Sequence, residues 1–240
     1  MWDFLSKSRI SNNLKTALGN NFFFKLYFYS MLDLKLEDFF DIESFSHKEL
    51  WQKNGSIWSP LLFLKDYLKN YRYEIHSPLP SHAHFENLDQ ISIGKGVVIE
   101  PGVYIQGPCI IGDYVVLRHT AYLRGNLILG NHATVGHGVE IKHSILLDHA
   151  TAAHLSYIGD TILGNRVNLG SGVKCANLRL DRKEVVPGLL KFSACVGDRT
   201  QIGCNVVLNP GTFVGKDSII YPLQNPRGYI PPKSVVRNVS

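Results

Sequence analysis

The stretch ISIGKGVVIE PGVYIQGPCI IGDYVVLRHT AYLRGNLILG NHATVGHGVE IKHSILL, residues 91–147, carries an aliphatic residue at every sixth position. The residues of this series are Ile93, Ile99, Ile105, Ile111, Leu117, Leu123, Leu129, Val135, Ile141 and Leu147. A second set, mostly small or β-branched, stands four positions after each of them: Val97, Val103, Cys109, Val115, Ala121, Leu127, Ala133, Val139, Ile145 and Thr151. A fixed period of this kind indicates a repeat architecture.

Each repeat of six predicts one short strand and one turn, so that three repeats close a triangular coil and successive coils stack in register. The aliphatic residue then points into a core that no single coil could bury alone. Asn, Asp and Gly near the turns fit corners with left-handed backbone. Ordinary strands are excluded because their side chains alternate with period two. A helix is excluded because each glycine would cost about 1 kcal/mol. We therefore expect a mainly β, parallel solenoid.

The phase slips once and then resumes. Four residues continue the series imperfectly: Ile158, Leu163, Leu169 and Cys175. Five more restore the strict period: Val196, Ile202, Leu208, Val214 and Ile220. The span from Cys175 to Val196 is 21 positions, which is not a multiple of six. We therefore expect a loop insertion at about 176–194, and loops on a rigid scaffold often carry function.

Residues 1–88 differ from the repeat region, because they are rich in Phe, Tyr, Leu and Lys and poor in glycine. They predict a small helical N-terminal cap over the open end of the solenoid, with helices at residues 42–52 and 60–71. The solenoid domain then covers residues 89–240. A surface anchor in the basic, aromatic stretch before Met31 is the alternative for the start of the chain.

Composition narrows the class of protein. A chain of 240 residues with 45% hydrophobic and 19% charged residues is expected to fold. Its net charge of +5 favours anionic partners such as nucleotides, sugar phosphates or a membrane surface, but is too low to argue for nucleic acid. The apolar run at residues 22–32 is shorter than the roughly 20 residues of a transmembrane helix, and it lacks a secretory cleavage site.

The four cysteines are widely spaced, without a C-x-x-C pair: Cys109, Cys175, Cys195 and Cys204. This spacing favours small apolar packing roles over metal or disulfide roles. Together with the lack of a transmembrane run, it predicts a cytoplasmic protein.

Four strings resemble the acetyltransferase half of the bifunctional enzymes that make UDP-N-acetylglucosamine. They are LRG at 123–125, VGHGVEIK at 135–142, AAHLSYIGD at 152–160 and NRVNLGSG at 165–172. The resemblance covers roughly residues 91–222, and no Gly-rich phosphate loop of a pyrophosphorylase domain precedes it. It implies a left-handed β-helix, a homotrimer with active sites between subunits, and acetyl-CoA as co-substrate. The acceptor would be the amine of an amino-sugar 1-phosphate, in cell-envelope precursor synthesis.

Acetyl transfer to an amine needs a general base, and histidine titrates in the right range. The resemblance gives this role to His154, and contact with the sugar to Tyr157. It also gives the phosphate to Arg124 and Lys142, for which cations are suited. These two are 18 positions apart, one full coil, so the spacing alone places them on the same edge of neighbouring coils.

Most of the remaining site residues follow from the resemblance. Asn168 contacts the sugar, and Lys191 of the loop reaches the sugar phosphate of a neighbouring subunit, with Lys183 as a competing assignment. The resemblance also gives contact with the cofactor to Asn177, Ser171 and Cys204. Arg227, near the last coils, is assigned to the CoA phosphates on its charge alone. The thiol of Cys204, where the family has serine, is expected to pack. No metal is required, because the thioester is already activated and a backbone amide can hold the oxyanion.

Three alternatives remain open. A γ-carbonic-anhydrase-like zinc site is suggested by five histidines: His132, His137, His143, His149 and His154. Zinc needs three converging imidazoles, and Lys142 stands where one of them would be wanted. The second alternative is an acyltransferase on a nucleotide sugar, as in lipid A synthesis. The third is a non-catalytic repeat scaffold.

Overall fold

The structure, a computed structural model, describes residues 34–51 and 55–237. From His84 onward the chain forms a parallel β-solenoid whose short strands belong to three sheets, one for each side of the coil. The predicted mainly β parallel solenoid is confirmed. Its three-sided coil is consistent with a left-handed β-helix.

The three sheets are called faces 1, 2 and 3, and neighbouring strands in each pair in parallel. Face 1 contains β2 (Ile91–Ile93), β5 (Cys109–Ile111), β8 (Leu127–Leu129), β11 (Ser144–Leu146), β14 (Ile162–Leu163), β17 (Ala194–Val196), β20 (Thr212–Val214) and β22 (Gly228–Ile230). Face 2 contains β1 (His84–Glu86), β4 (Tyr104–Gln106), β7 (Tyr122–Leu123), β10 (Glu140–Lys142), β13 (Tyr157–Gly159), β16 (Lys174–Cys175) and β19 (Val207–Leu208). Face 3 contains β3 (Val98–Ile99), β6 (Val116–Leu117), β9 (Thr134–His137), β12 (Thr151–His154), β15 (Asn168–Leu169), β18 (Gln201–Ile202), β21 (Ile219–Ile220) and β23 (Val235–Val236).

The aliphatic series forms the core, with one correction to its last member. Leu123 pairs with Ile141 after 18 positions, but Leu129 pairs with Leu146 after 17. The reason is the corner after β10, which has one residue fewer than the corner after β7. Leu146 therefore takes the inward position that the strict period assigned to Leu147.

The same shift corrects the second set. Ser144 is fully buried opposite Leu127, and its hydroxyl donates to the carbonyl of Lys142 at 2.8 Å. Ile145 thus faces the outside of face 1. Ala150, not Thr151, joins the core on the next side.

Within residues 34–51 and 55–88, the N-terminal part of the chain has less helix than its composition predicts. One α-helix among these residues, α1 (Ser59–Lys69), overlaps the range predicted at residues 60–71 and begins one residue before it. In the range predicted at 42–52 the described residues contain only a 3₁₀ turn, Lys48–Trp51; two further turns are Leu36–Asp38 and Leu88–Gln90. Phe45 is buried and its ring lies 6.0 Å from that of Trp51. Packing of the aromatic rings therefore overrides local helix propensity here.

The described residues 35–51 and 55–77, called the side segment, run along the outside of face 1. The ring of Phe39 is 6.5 Å from that of Phe213, and Trp58 is 5.8 Å from it. At the other end, the amide of Glu74 donates to the hydroxyl of Ser92 at 3.3 Å. The segment therefore covers a side of the solenoid, and not its open end as the sequence analysis expected.

The outward residues of face 1 explain this placement. From β5 to β20 they form an apolar column that is buried throughout: Ile110, Ile128, Ile145, Ile162, Cys195 and Phe213. Burial of such a column contributes roughly 25 cal/mol for each Å² of apolar surface. From Lys35 onward the described residues form one compact unit, while the domain boundary at residue 88 stays a prediction.

Two expectations about the start of the chain fall on residues 22–32 and on the stretch before Met31, which lie outside the described residues. Among the helices that are described, none is both long and apolar enough to cross a membrane.

Candidate functional site

The cations assigned to phosphate lie side by side on face 2, where it borders face 1. The pairing of Leu123 with Ile141 places Arg124 and Lys142 at the ends of adjacent strands, and the amide of Arg124 donates to the carbonyl of Ile141 at 2.9 Å. The structure therefore brings together the two side chains whose spacing suggested a common anion site.

Each cation is held by a carboxylate. Arg124 donates from Nη1 to Glu140 at 2.6 Å, and this bond raises the pKa of the guanidinium. Lys142 donates from Nζ to Oδ2 of Asp160 at 2.8 Å, in a pair that is largely buried. Sequence reasoning missed both carboxylates. The available signal was their position within the matching strings, in VEIK and YIGD.

Tyr157 and Asn177 complete this group. The amide nitrogen of Asn177 donates to the hydroxyl of Tyr157 at 3.3 Å and to a carboxylate oxygen of Asp160. Asn177, which the resemblance assigns to the cofactor, thus lies beside the predicted sugar and phosphate residues. Arg124, Glu140, Lys142, Tyr157, Asp160 and Asn177 are called the face 2 cluster.

His154 lies at the corner between faces 3 and 2. Its carbonyl accepts from the amide of Gly172, and the carbonyl of Ser171 accepts from Asn205, next to Cys204. His154, Ser171 and Cys204 therefore form one column on three successive coils. The imidazole of His154 is exposed and makes no hydrogen bond with any described residue, so both of its nitrogens are available to a ligand.

The exposed position of Cys204 differs from the expectation that its thiol packs. The other three cysteines are buried. Burial raises the pKa of Cys109 and of Cys175 to about 12 in each case, which agrees with packing roles for these two.

The histidines that suggested zinc are distributed over three corners. His137 pairs with His154 at the corner of faces 3 and 2. His132 and His149 stack at 4.7 Å between faces 1 and 3, and His143 lies between faces 2 and 1. No three His, Cys, Asp or Glu side chains converge to hold a metal ion within residues 34–51 and 55–237.

Asn168, Lys191 and Arg227 are not members of these two groups. Asn168 is exposed on β15 of face 3, where it pairs with Thr151 and Gln201. Lys191 is exposed near the end of the loop, which spans residues 176–193, and its backbone bridges to Leu178.

Arg227 lines a cavity of about 470 Å³ beside the loop. The other lining residues are Ala176, Leu178, Arg179, Leu180, Asp181, Asn209 and Pro210. Arg179 holds Asp181 through two hydrogen bonds of 2.8 and 2.6 Å, which lower the pKa of that carboxyl. The cavity borders the face 2 cluster, because Ala176 directly precedes Asn177.

Comparison with known proteins gives partial matches. The profile of a family described as "GMPPB C-terminal domain" matches residues 105–189. The "Bifunctional sugar-1-phosphate nucleotidylyltransferase/acetyltransferase" of Sulfurisphaera tokodaii is 37% identical over 92 residues, which are 35% of this chain and 23% of that protein. The "Bifunctional protein GlmU" of Methanococcus vannielii is 42% identical over 89 residues, 34% of this chain and 22% of that protein. This chain resembles the hexapeptide-repeat acetyltransferase part of such proteins.

The match spans about a fifth to a quarter of the length of these relatives. Among solved structures, "UDP-N-acetylglucosamine acyltransferase from Campylobacter jejuni" is 18% identical, with a TM-score of 0.40 over 66% of this chain and 69% of that one.

Proposed function

We propose that this protein transfers an acetyl group from acetyl-CoA to the amine of an amino-sugar 1-phosphate, glucosamine 1-phosphate being the first candidate. The observation that carries the proposal is the face 2 cluster. It brings the two adjacent cations, Arg124 and Lys142, together with the hydroxyl of Tyr157 and the amide of Asn177. Tyr157 follows His154 by three residues in the chain. The similarity to bifunctional nucleotidylyltransferase/acetyltransferases supports the same reaction.

In this mechanism His154 acts as the general base. It accepts a proton from the ammonium of the sugar, and the free amine attacks the thioester carbon. A carbon–nitrogen bond forms and the carbon–sulfur bond breaks. The CoA thiolate leaves and takes the second proton that the nitrogen gives up, and His154 releases its own proton to solvent. The exposed imidazole suits this role because no described side chain occupies its nitrogens. A backbone amide holds the developing oxyanion.

Arg124 and Lys142 bind the sugar phosphate. Arg124 uses Nη1 for Glu140, and its remaining guanidinium donors can form the paired bonds that phosphate favours. The carboxylates fix the two cations in place before the substrate arrives. Tyr157 and Asn168 contact the sugar.

The co-substrate lies beside the corner column and the cavity. Ser171, Cys204 and Asn177 line the acetyl and pantetheine end, and Arg227 meets the CoA phosphates. Arg179, which sequence reasoning missed, adds a second guanidinium to the same cavity.

We also propose a homotrimer, in which Lys191 reaches the sugar phosphate of a neighbouring subunit. The side segment covers face 1, which leaves faces 2 and 3 for association. Light scattering tests this, because a trimer has three times the 26.9 kDa of one chain. The cytoplasm is the proposed location, since acetyl-CoA is available there.

A substrate panel tests the function. The purified protein is incubated with acetyl-CoA and with glucosamine 1-phosphate, galactosamine 1-phosphate or UDP-amino sugars, and free CoA is measured. We expect release with one of the 1-phosphates, and a loss of at least about 100-fold in His154→Ala, the usual contribution of a general base.

The matched control is His149→Ala, because His149 lies at the corner between faces 1 and 3, away from His154. Release of CoA by none of the substrates, or undiminished release by His154→Ala, contradicts the proposal. Inactivity with every acceptor favours a non-catalytic repeat scaffold, and release only with UDP-amino sugars favours the acyltransferase on a nucleotide sugar.

A further inference from the structure

We infer that His143 is a positioning residue through which helix α1 of the side segment fixes the phosphate-binding cations of face 2. This inference rests on the proposed function, because it assigns the side segment a part in the same site. The side segment lies outside the residues matched by the family profile, which begin at 105.

Helix α1 contacts the solenoid at the corner between faces 2 and 1. Nε2 of His143 lies 3.1 Å from the carbonyl oxygen of Leu61, in the first turn of α1. A carbonyl only accepts, so Nε2 carries the hydrogen and donates it. Leu61 and His143 are 82 positions apart in the chain, and this bond ties the side segment to the corner of faces 2 and 1.

Charged groups lie around the imidazole of His143. Three charged groups face His143: Asp160, Lys142 and Lys65 of α1. Burial lowers the pKa of His143. Asp160 acts in the opposite direction, and the two lysines lower the pKa further. The imidazole is therefore neutral near pH 7. A neutral donor supports the corner without adding a cation that would compete with Lys142 for the carboxylate of Asp160.

The same helix also contacts the loop at residues 176–193. A Cβ added at Gly188 would lie 3.0 Å from Cδ2 of Leu62, so the turn of the loop rests on the residue that follows Leu61. The loop then returns to the cluster, where the amide of Phe192 donates to the carbonyl of Asn177 and that of Ser193 to the carbonyl of Asp160, each at 2.9 Å.

Two consecutive residues of α1 thus support both sides of the cluster. Leu61 holds the corner beside Lys142, and Leu62 holds the loop that is bonded to Asn177 and Asp160. The carboxylate of Asp160 accepts a hydrogen bond from the ammonium of Lys142. Movement of the helix would shift the corner and the loop on either side of this pair, and with them the ammonium that is proposed to bind phosphate. Ground-state binding of the sugar phosphate should depend on this support more than the chemical step does.

The test compares variants of the full chain. His143 has left-handed backbone with φ of 44°, a conformation that Asn tolerates well. His143→Asn therefore keeps the corner but is too short to reach Leu61, while His143→Gln restores the reach. His149→Asn is the matched control, since His149 has φ of 60° at a corner away from the site.

We expect the KM for the sugar 1-phosphate to rise roughly 3- to 10-fold in His143→Asn, corresponding to the loss of about one hydrogen bond. The kcat and the KM for acetyl-CoA should stay unchanged. His143→Gln should recover most of the effect, and His149→Asn should show none. Equal changes in all three kinetic constants, or no change in His143→Asn, would overturn the inference.

Hydrogen exchange gives a readout that does not need activity. In His143→Asn the amides of Phe192 and Ser193 should exchange faster than in the wild type, with unchanged exchange in His149→Asn. Leu62→Ala, which leaves His143 intact, should show the same acceleration and covers the case in which His143→Asn does not fold. Unchanged exchange in these variants overturns the inference. An inactive wild type, by contrast, refutes the proposed function, and the exchange data still decide whether α1 supports the loop.

Discussion

At the residue scale, the site depends on how its charges are paired. Lys142 and Asp160 form a largely buried pair, and Asn177 adds a further donor to the same carboxylate. Arg124 is more exposed, with 41% of its side chain accessible. Exposed ion pairs contribute little to stability, roughly 0–1 kcal/mol. The pair of Arg124 with Glu140 therefore adds little to folding, and the role proposed for Arg124 is in binding the sugar phosphate.

Arg124→Ala should weaken binding of the sugar 1-phosphate and leave stability nearly unchanged. Charged hydrogen bonds are worth about 1.5–3 kcal/mol, so we expect its KM to rise roughly 10- to 100-fold, with the KM for acetyl-CoA unchanged. Steady-state kinetics measure both constants. Arg166→Ala, at the corner of faces 1 and 3, serves as the control. The assigned phosphate site would be wrong if both variants bound the sugar 1-phosphate as the wild type does.

At the element scale, the side segment and the solenoid share one interface, and Phe213 lies at its centre. Its buried ring is 5.8 Å from that of Trp58 and 5.4 Å from that of Phe192 in the loop. The outward side chains of β20 and of its neighbours thus form a second hydrophobic layer outside the coil. This layer connects the segment, the loop and face 1.

Phe213→Ala should lower the free energy of unfolding by about 3–5 kcal/mol, because it opens a cavity in this layer. Val98→Ala is the comparison, since Val98 faces outward on face 3 and is half exposed. Urea denaturation measures both. Similar losses in the two variants would show that the side segment does not depend on this contact.

At the scale of the whole molecule, two largely buried histidines connect stability to pH. Burial lowers the pKa of His47, against the effect of Glu49, and burial also lowers that of His143. A histidine with a lowered pKa binds fewer protons in the folded state than in the unfolded chain, whose value is 6.5. Stability should therefore rise with pH in this range and fall on acidification below about pH 6.5.

Urea denaturation at pH 7.5 and pH 5.5 checks this expectation. Each fully shifted group contributes at most about 1.4 kcal/mol for each pH unit. His143→Gln, which has no titrating ring, should reduce the difference between the two pH values. A free energy of unfolding that stays constant or rises on acidification would show that these histidines are not buried in neutral form.

Much of the solenoid could be predicted because its core depends on a pattern that repeats regularly along the chain. Each coil must supply an apolar residue to the core, so the period of six and the loop after Cys175 are visible in the sequence. The neighbouring positions of Arg124 and Lys142 followed from the same period. Their roles in binding came from resemblance and stay predictions.

Only the tertiary structure decided the rest. One missing residue at the corner after β10 moved Leu146 into the core in place of Leu147, and no periodic rule reveals the length of a single corner. The side segment lies along face 1 because a column of outward apolar residues, distant in the chain, forms only when the coils stack. Asp160 and His143 acquired their partners for the same reason, since stacking and packing join residues that the sequence keeps far apart.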